Sequence, residues 1–146
     1  MARLFTLEQA TRALPGVEKA LRDLIKYKGE HDQADAALQA VSRKVMLSGG
    51  MQVRGDEVLG FRRQKQDSAE LVKAAYEAIQ EAGCIVKDLN VGLIDFPSLY
   101  RDREVYLCWR LGEPAIEYWH GVDEGFRGRK KIDDDFRANH KGDAPS

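Results

Sequence analysis

Cys108, Glu113, Glu117 and His120 fall in one stretch, Arg103-Glu-Val-Tyr-Leu-Cys-Trp-Arg-Leu-Gly-Glu-Pro-Ala-Ile-Glu-Tyr-Trp-His120, which also holds both tryptophans of the chain. With Asp95, which ends an apolar run, they offer the sulfur, nitrogen and oxygen donors of a zinc-type site. The same groups could supply a carboxylate and an imidazole for acid–base chemistry. The plainer alternative is a core-edge histidine donating to a backbone carbonyl beside a buried structural cysteine. No Gly-x-Ser-x-Gly, phosphate loop or dinucleotide fingerprint is present. Gly49 and Gly50 lack the Lys-Ser/Thr that a phosphate loop requires.

The elements that hold these residues decide between the readings. Two alternating runs flank Leu111-Gly112, so 103–120 reads as a β-hairpin with a two-residue loop. That loop sets Leu107 against Ile116 and Val105 against Tyr118. Val105, Leu107, Trp109, Ile116 and Tyr118 then share the buried face. Glu104, Tyr106, Cys108, Glu117 and Trp119 take the other face, and His120 is split from Cys108 unless a bulge near Pro114 shifts the register by one. On that register no metal site is expected, and the sequence names no cofactor. The candidate ligand pocket comprises Asp95, Glu113, Trp119, His120 and Arg129.

Upstream, Cys84-Ile-Val-Lys-Asp-Leu89 and Gly92-Leu-Ile-Asp-Phe96 read as two more strands, the second closed by Pro97. The four strands would form an antiparallel meander, which needs one apolar face covered. Before them the period is helical. Thr6-Leu-Glu-Gln9 fits a capping box, with Phe5 placed as a staple. Pro15-Gly16 must break, kink or restart that helix. Val17, Leu21, Leu24, Tyr27, His31, Ala34, Leu38, Val41 and Val45 then recur at steps of three and four, close to a heptad seam. His31 there reads as a polar seam residue rather than a ligand. Gly29 marks the expected bend. After a glycine-rich tip at Ser48–Gly55, a second helix runs to about Ala82 with the stripe Phe61, Ser68, Leu71, Val72, Ala75, Ile79 and Ala82, and Gly83 at its C-terminal end.

The expected fold is α+β: a long antiparallel helical hairpin (7–82), coiled-coil-like, packed on a small four-stranded antiparallel β-meander (84–121). Residues 1–132 make one domain, and 133–146 form a polar tail expected to be disordered. The distal half of the helical hairpin holds too few large apolar side chains for two helices to be stable alone, and a monomer would leave Leu38, Val41 and Val45 exposed, so a homo-oligomer, a dimer through the helical hairpin, is expected.

Composition limits the partners. Net charge is −1 and charged residues make up 32% of the chain, so no global field draws it to nucleic acid or anionic lipid. The basic run Arg127-Gly-Arg-Lys-Lys131 is offset by Asp133–Asp135. No apolar run approaches a membrane span and no secretory signal opens the chain, which gives a cytoplasmic expectation. Cys84 and Cys108 share no metal or redox spacing.

Several segments carry a likeness: Leu4-Phe-Thr-Leu-Glu-Gln-Ala10, Lys87-Asp-Leu with Gly92-Leu-Ile-Asp-Phe-Pro97, Glu104-Val-Tyr-Leu-Cys-Trp-Arg-Leu-Gly-Glu113, Ile116-x-Tyr-Trp-His120 and Gly125-Phe-x-Gly-x-Arg129. Over residues 4 to about 132 they resemble the bacterial family filed as domain of unknown function 2203. The resemblance implies a bacterial cytoplasmic protein with no known reaction, and maps family motifs onto Asp95, Cys108, Trp109, Glu113, Trp119, His120 and Arg129. The leading expectation is a non-catalytic, self-associating interaction module with a polar pocket at the hairpin. The alternative is a small metal-dependent or acid–base enzyme with its site around Asp95, Glu113 and His120.

Overall fold

The computed structural model describes residues 3–47, 49 and 55–143. Most of the glycine-rich tip expected at 48–55 lies outside the described residues. The chain divides into two compact units: Met1–Leu21 with Glu77–Ser146, the sheet unit, and Arg22–Tyr76, the helical unit.

Helix α1 spans Leu7–Leu47 and α2 spans Gly55–Ala82. The capping box forms: Thr6 Oγ1 accepts from Gln9 N at 3.1 Å, and Gln9 Oε1 accepts from Thr6 N at 2.9 Å. Pro15 sits inside α1 without ending it. Its missing N–H and ring cost about 3 kcal/mol, and burial of Leu14, Val17 and Leu21 around it opposes that loss. At the end of α2, Gly83 takes φ +93°, the left-handed conformation that closes a helix.

In the helical unit α1 and α2 run antiparallel. Lys65 Nζ meets Asp35 Oδ1 at 2.7 Å, and Gln64 Nε2 reaches the Glu30 carbonyl at 3.4 Å. In this unit Leu24, Ala34, Ser68 and Ala75 are buried, Leu38, Val41, Val45, Val58, Phe61 and Val72 are half-buried, and Leu59, Met46 and Leu47 are 64%, 83% and 82% exposed. Leu71, placed in the stripe by its spacing, is exposed too.

Among the described residues the sheet unit carries six strands rather than four. They are β1 (Ile85–Asp88), β2 (Leu93–Tyr100), β3 (Arg103–Arg110), β4 (Tyr118–Gly121), β5 (Lys130–Lys131) and β6 (His140–Lys141). Order β1-β2-β3-β4-β5 is antiparallel throughout, and β6 pairs with β2. The added strands are two residues long, too short to show alternation. Strand β2 continues through Pro97. The Pro97 carbonyl accepts from Phe5 N at 2.7 Å, and a strand residue's N–H and C=O point the same way. The missing donor therefore faces an irregular neighbour and not the β3 ladder. The β2–β3 turn is Arg101-Asp102, both with positive φ (51° and 65°), as a two-residue hairpin turn requires.

Of the tail expected to be disordered, the described part, residues 133–143, carries a short helix and a short strand. Asp133 caps helix α3 (Asp134–Asn139) through Phe136 N, and Phe136 is buried. His140 Nε2 accepts from Leu7 N at 2.9 Å, adding a ring to the cap of α1. Leu4 and Asp143 exchange two hydrogen bonds. A Cβ on Gly142 would lie 2.4 Å from Thr6 N, so only glycine permits this approach. The tail's apolar anchor is one phenylalanine, which composition does not distinguish from a solvated segment.

No helix among the described residues is long and apolar enough to cross a membrane.

Candidate functional site

The hairpin register differs from the expected one. Leu107 pairs with Trp119, not Ile116, and Val105 pairs with Gly121. The connection is 111–117 rather than two residues, because the Glu113 side chain folds back. Glu113 Oε1 accepts from Arg110 N at 2.7 Å, and the Glu113 carbonyl accepts from Trp109 Nε1 at 3.1 Å. Ile116 is buried from the loop, outside any strand. Moving the pairing by an odd number of residues turns every β4 side chain over. Tyr118 leaves the face of Leu107, and His120 joins that of Cys108.

Alternation and register give the sheet two faces. Ile94, Phe96, Val105, Leu107, Trp109 and Trp119 share one. Asp95, Tyr106, Cys108, Tyr118 and His120 share the other, with Arg129, which precedes β5, next in the row. Asp95 pairs directly with Cys108 across β2 and β3. Asp95, Cys108 and His120 are each 1% exposed, and one donor atom from each lies within 4.8 Å of the others. His120 Nε2 is 3.0 Å from Asp95 Oδ1, and Nδ1 is 2.8 Å from the Gly121 carbonyl. Tyr106 covers the ring at 5.5 Å between centroids.

A second pair completes the row. Arg129 holds Glu113 through two parallel bonds of 3.0 and 2.7 Å, and its Nη1 points at Cys108 Sγ at 3.9 Å. The guanidinium lies 4.0 Å from the Tyr118 ring centroid and 4.3 Å from that of Phe126. Burial, then the nearby Asp95 carboxylate, push the Cys108 thiol up to about 11, with Arg129 acting the other way. Burial also raises Glu113, but its bonds from Arg129 and the Arg110 N–H outweigh that and hold it below the usual carboxylate range.

Asp95, Glu113, His120 and Arg129 are thus joined through Cys108 into one polar row, buried at its Asp95–Cys108–His120 end. Trp119 is not part of it; it lies on the aromatic face against Tyr100 and Phe136, at 5.0 and 5.1 Å. The register argument against a thiol–imidazole centre is overturned, since both groups face the same way. Glu117 lies outside the Asp95–Cys108–His120 cluster. The sequence reading overlooked Tyr118 and Phe126, which sandwich Arg129. The signal that could have paired Cys108 with Asp95 was the β2–β3 turn: a two-residue loop at Arg101-Asp102 dictates Asp95 opposite Cys108. Chemically, the cluster can share a proton or ligate a cation, and the Glu113–Arg129 pair pins the loop to the row.

No curated protein and no solved structure matches the chain. A family model, described as an uncharacterized conserved protein (DUF2203), matches residues 3–132, which include every member of the polar row; the chain belongs to that family.

Proposed function

We propose that the protein is a non-catalytic interaction module that self-associates through its helical unit. The observation that carries this reading is the seam between α1 and α2. Its fully buried positions are few (Leu24, Ala34, Ser68, Ala75), Leu38, Val41 and Val45 are only half-buried, and Leu59, Met46 and Leu47 are left in solvent. Two helices with so narrow an apolar stripe are marginal alone. A second copy, meeting them as a coiled-coil-like four-helix arrangement, would cover these residues. The polar row then serves to hold the sheet unit in one register. A bacterial cytoplasmic setting accords with this reading. Light scattering of the full chain at micromolar concentration should give a dimer, and Leu59→Glu should give a monomer with unchanged helix content. A monomeric wild type overturns the reading.

A second reading, a small metal-dependent or acid–base enzyme with its site around Asp95, Glu113 and His120, is favoured by the convergence of Asp95, Cys108 and His120 on one face. Against a site open to substrate stands the 1% exposure of all three.

A further inference from the structure

The geometry points to a divalent transition-metal site of the zinc type, formed by Asp95 Oδ1, Cys108 Sγ and His120 Nε2. The inference does not rest on self-association. His120 Nδ1 lies 2.8 Å from the Gly121 carbonyl, an acceptor, so Nδ1 carries a proton. In the neutral ring Nε2 is then a lone pair, and it faces the Asp95 carboxylate at 3.0 Å. Two acceptors aimed at each other in a buried site require a cation between them. A proton would serve for the pair alone. The third donor, Cys108 Sγ, belongs to the same cluster, in which all donor atoms lie within 4.8 Å. One nitrogen, one thiolate sulfur and one carboxylate oxygen form the mixed set that zinc accepts, at roughly 2.0–2.3 Å per bond.

The surroundings fit a ligand shell. Ligating histidines donate their other N–H to a backbone carbonyl or carboxylate, which fixes the tautomer, as Gly121 does here. Arg129 Nη1, 3.9 Å from Cys108 Sγ, is placed to donate to a thiolate, and Glu113 balances its charge. The ligands come from β2, β3 and β4, three adjacent strands of one sheet, so their spacing is set by the ladder rather than by loops. One carboxylate and one thiolate would neutralise a dication. Three protein ligands leave one tetrahedral position for solvent.

The test uses the reduced full chain, stripped with a chelator and titrated with Co2+ and then Zn2+. One Co2+ per chain should bind with a thiolate-to-cobalt charge-transfer band, and Zn2+ should displace it. Cys108→Ser should abolish the band, Cys84→Ser should keep it, and His120→Asn should weaken binding by about tenfold or more. Far-ultraviolet circular dichroism checks that each variant folds. If Cys108→Ser fails to fold, alkylation decides the matter: in Cys84→Ser the one remaining thiol is Cys108, and Zn2+ should slow its modification at least tenfold. Uptake without a charge-transfer band, no uptake by the folded wild type, or an alkylation rate indifferent to Zn2+ would each overturn the site and leave a shared proton in its place.

Discussion

The two faces of the sheet are built from the same strands by different means. On one, Phe96, Leu107 and Trp109 are fully buried, and Phe5 meets Phe96 edge-on at 5.3 Å. Tyr100, Trp119 and Phe136 continue it as a run of ring contacts. On the other, Asp95, Cys108 and His120 are buried, and the part-exposed Glu113–Arg129 pair closes the outer end through two parallel bonds. Every buried side-chain nitrogen and oxygen among the described residues has a partner. The lesson is one of tolerance. An apolar face loses stability in proportion to the volume removed, whereas a polar row responds to whether a substitution keeps the donor count intact.

The largest effect should come from the aromatic face. Phe96→Ala removes a ring with no exposure that anchors the segment leading into α1. A loss of about 3–5 kcal/mol is expected for such a truncation, and denaturant unfolding followed by circular dichroism measures it. A loss under about 1 kcal/mol would mean that this face is not the main core of the unit.

The polar face gives a sharper contrast. In chelator-treated protein, Asp95→Ala strands the Nε2 of His120 and the Cys108 thiol, at a cost of about 1–3 kcal/mol for a buried unsatisfied group. Asp95→Asn behaves differently, because its amide N–H can donate to Nε2 and its oxygen can still accept from the thiol. Asn should retain most of the wild-type stability and Ala should not, under the same denaturant protocol. Equal losses would show that charge, rather than donor matching, governs the row.

How much of this could be read beforehand follows from which signals are local. The helices announced themselves through the Thr6–Gln9 box, the heptad steps from Val17 and the glycine at 83. The pocket residues Asp95, Glu113, His120 and Arg129 were named, but the register that joins them was not. Leu111-Gly112 looks like a tight turn, and nothing in the alternation reveals that the Glu113 side chain closes a different one onto Arg110 N. Arg101-Asp102 has neither glycine nor asparagine, yet it makes the two-residue turn. Its positive φ values are secured from a distance: Arg101 Nη2 bonds Asp135 Oδ1 at 2.6 Å, and Tyr100 bonds the same carboxylate. A turn stabilised by a residue in α3 leaves no mark in its own neighbourhood.

The smallest expected effect concerns the outer end of the polar row, where the pair is partly in reach of solvent. The Glu113 and Arg129 side chains retain 19% and 13% exposure, so Glu113→Gln should cost only about 1 kcal/mol at neutral pH. Its pH dependence carries the sign of the mechanism. Burial raises the Glu113 carboxyl, but Arg129 and the Arg110 N–H together hold it below its ordinary 4.5. A carboxylate depressed in the folded state stabilises fully above its unfolded value, and that stabilisation is lost as pH falls through the lower, folded one. The gap between wild type and Glu113→Gln should therefore stay constant from about pH 7 to about pH 5 and close below about pH 4. Denaturation curves at stepped pH would show it. A gap that widened on acidification would reverse the sign and place the protonated carboxyl, not the carboxylate, against Arg129.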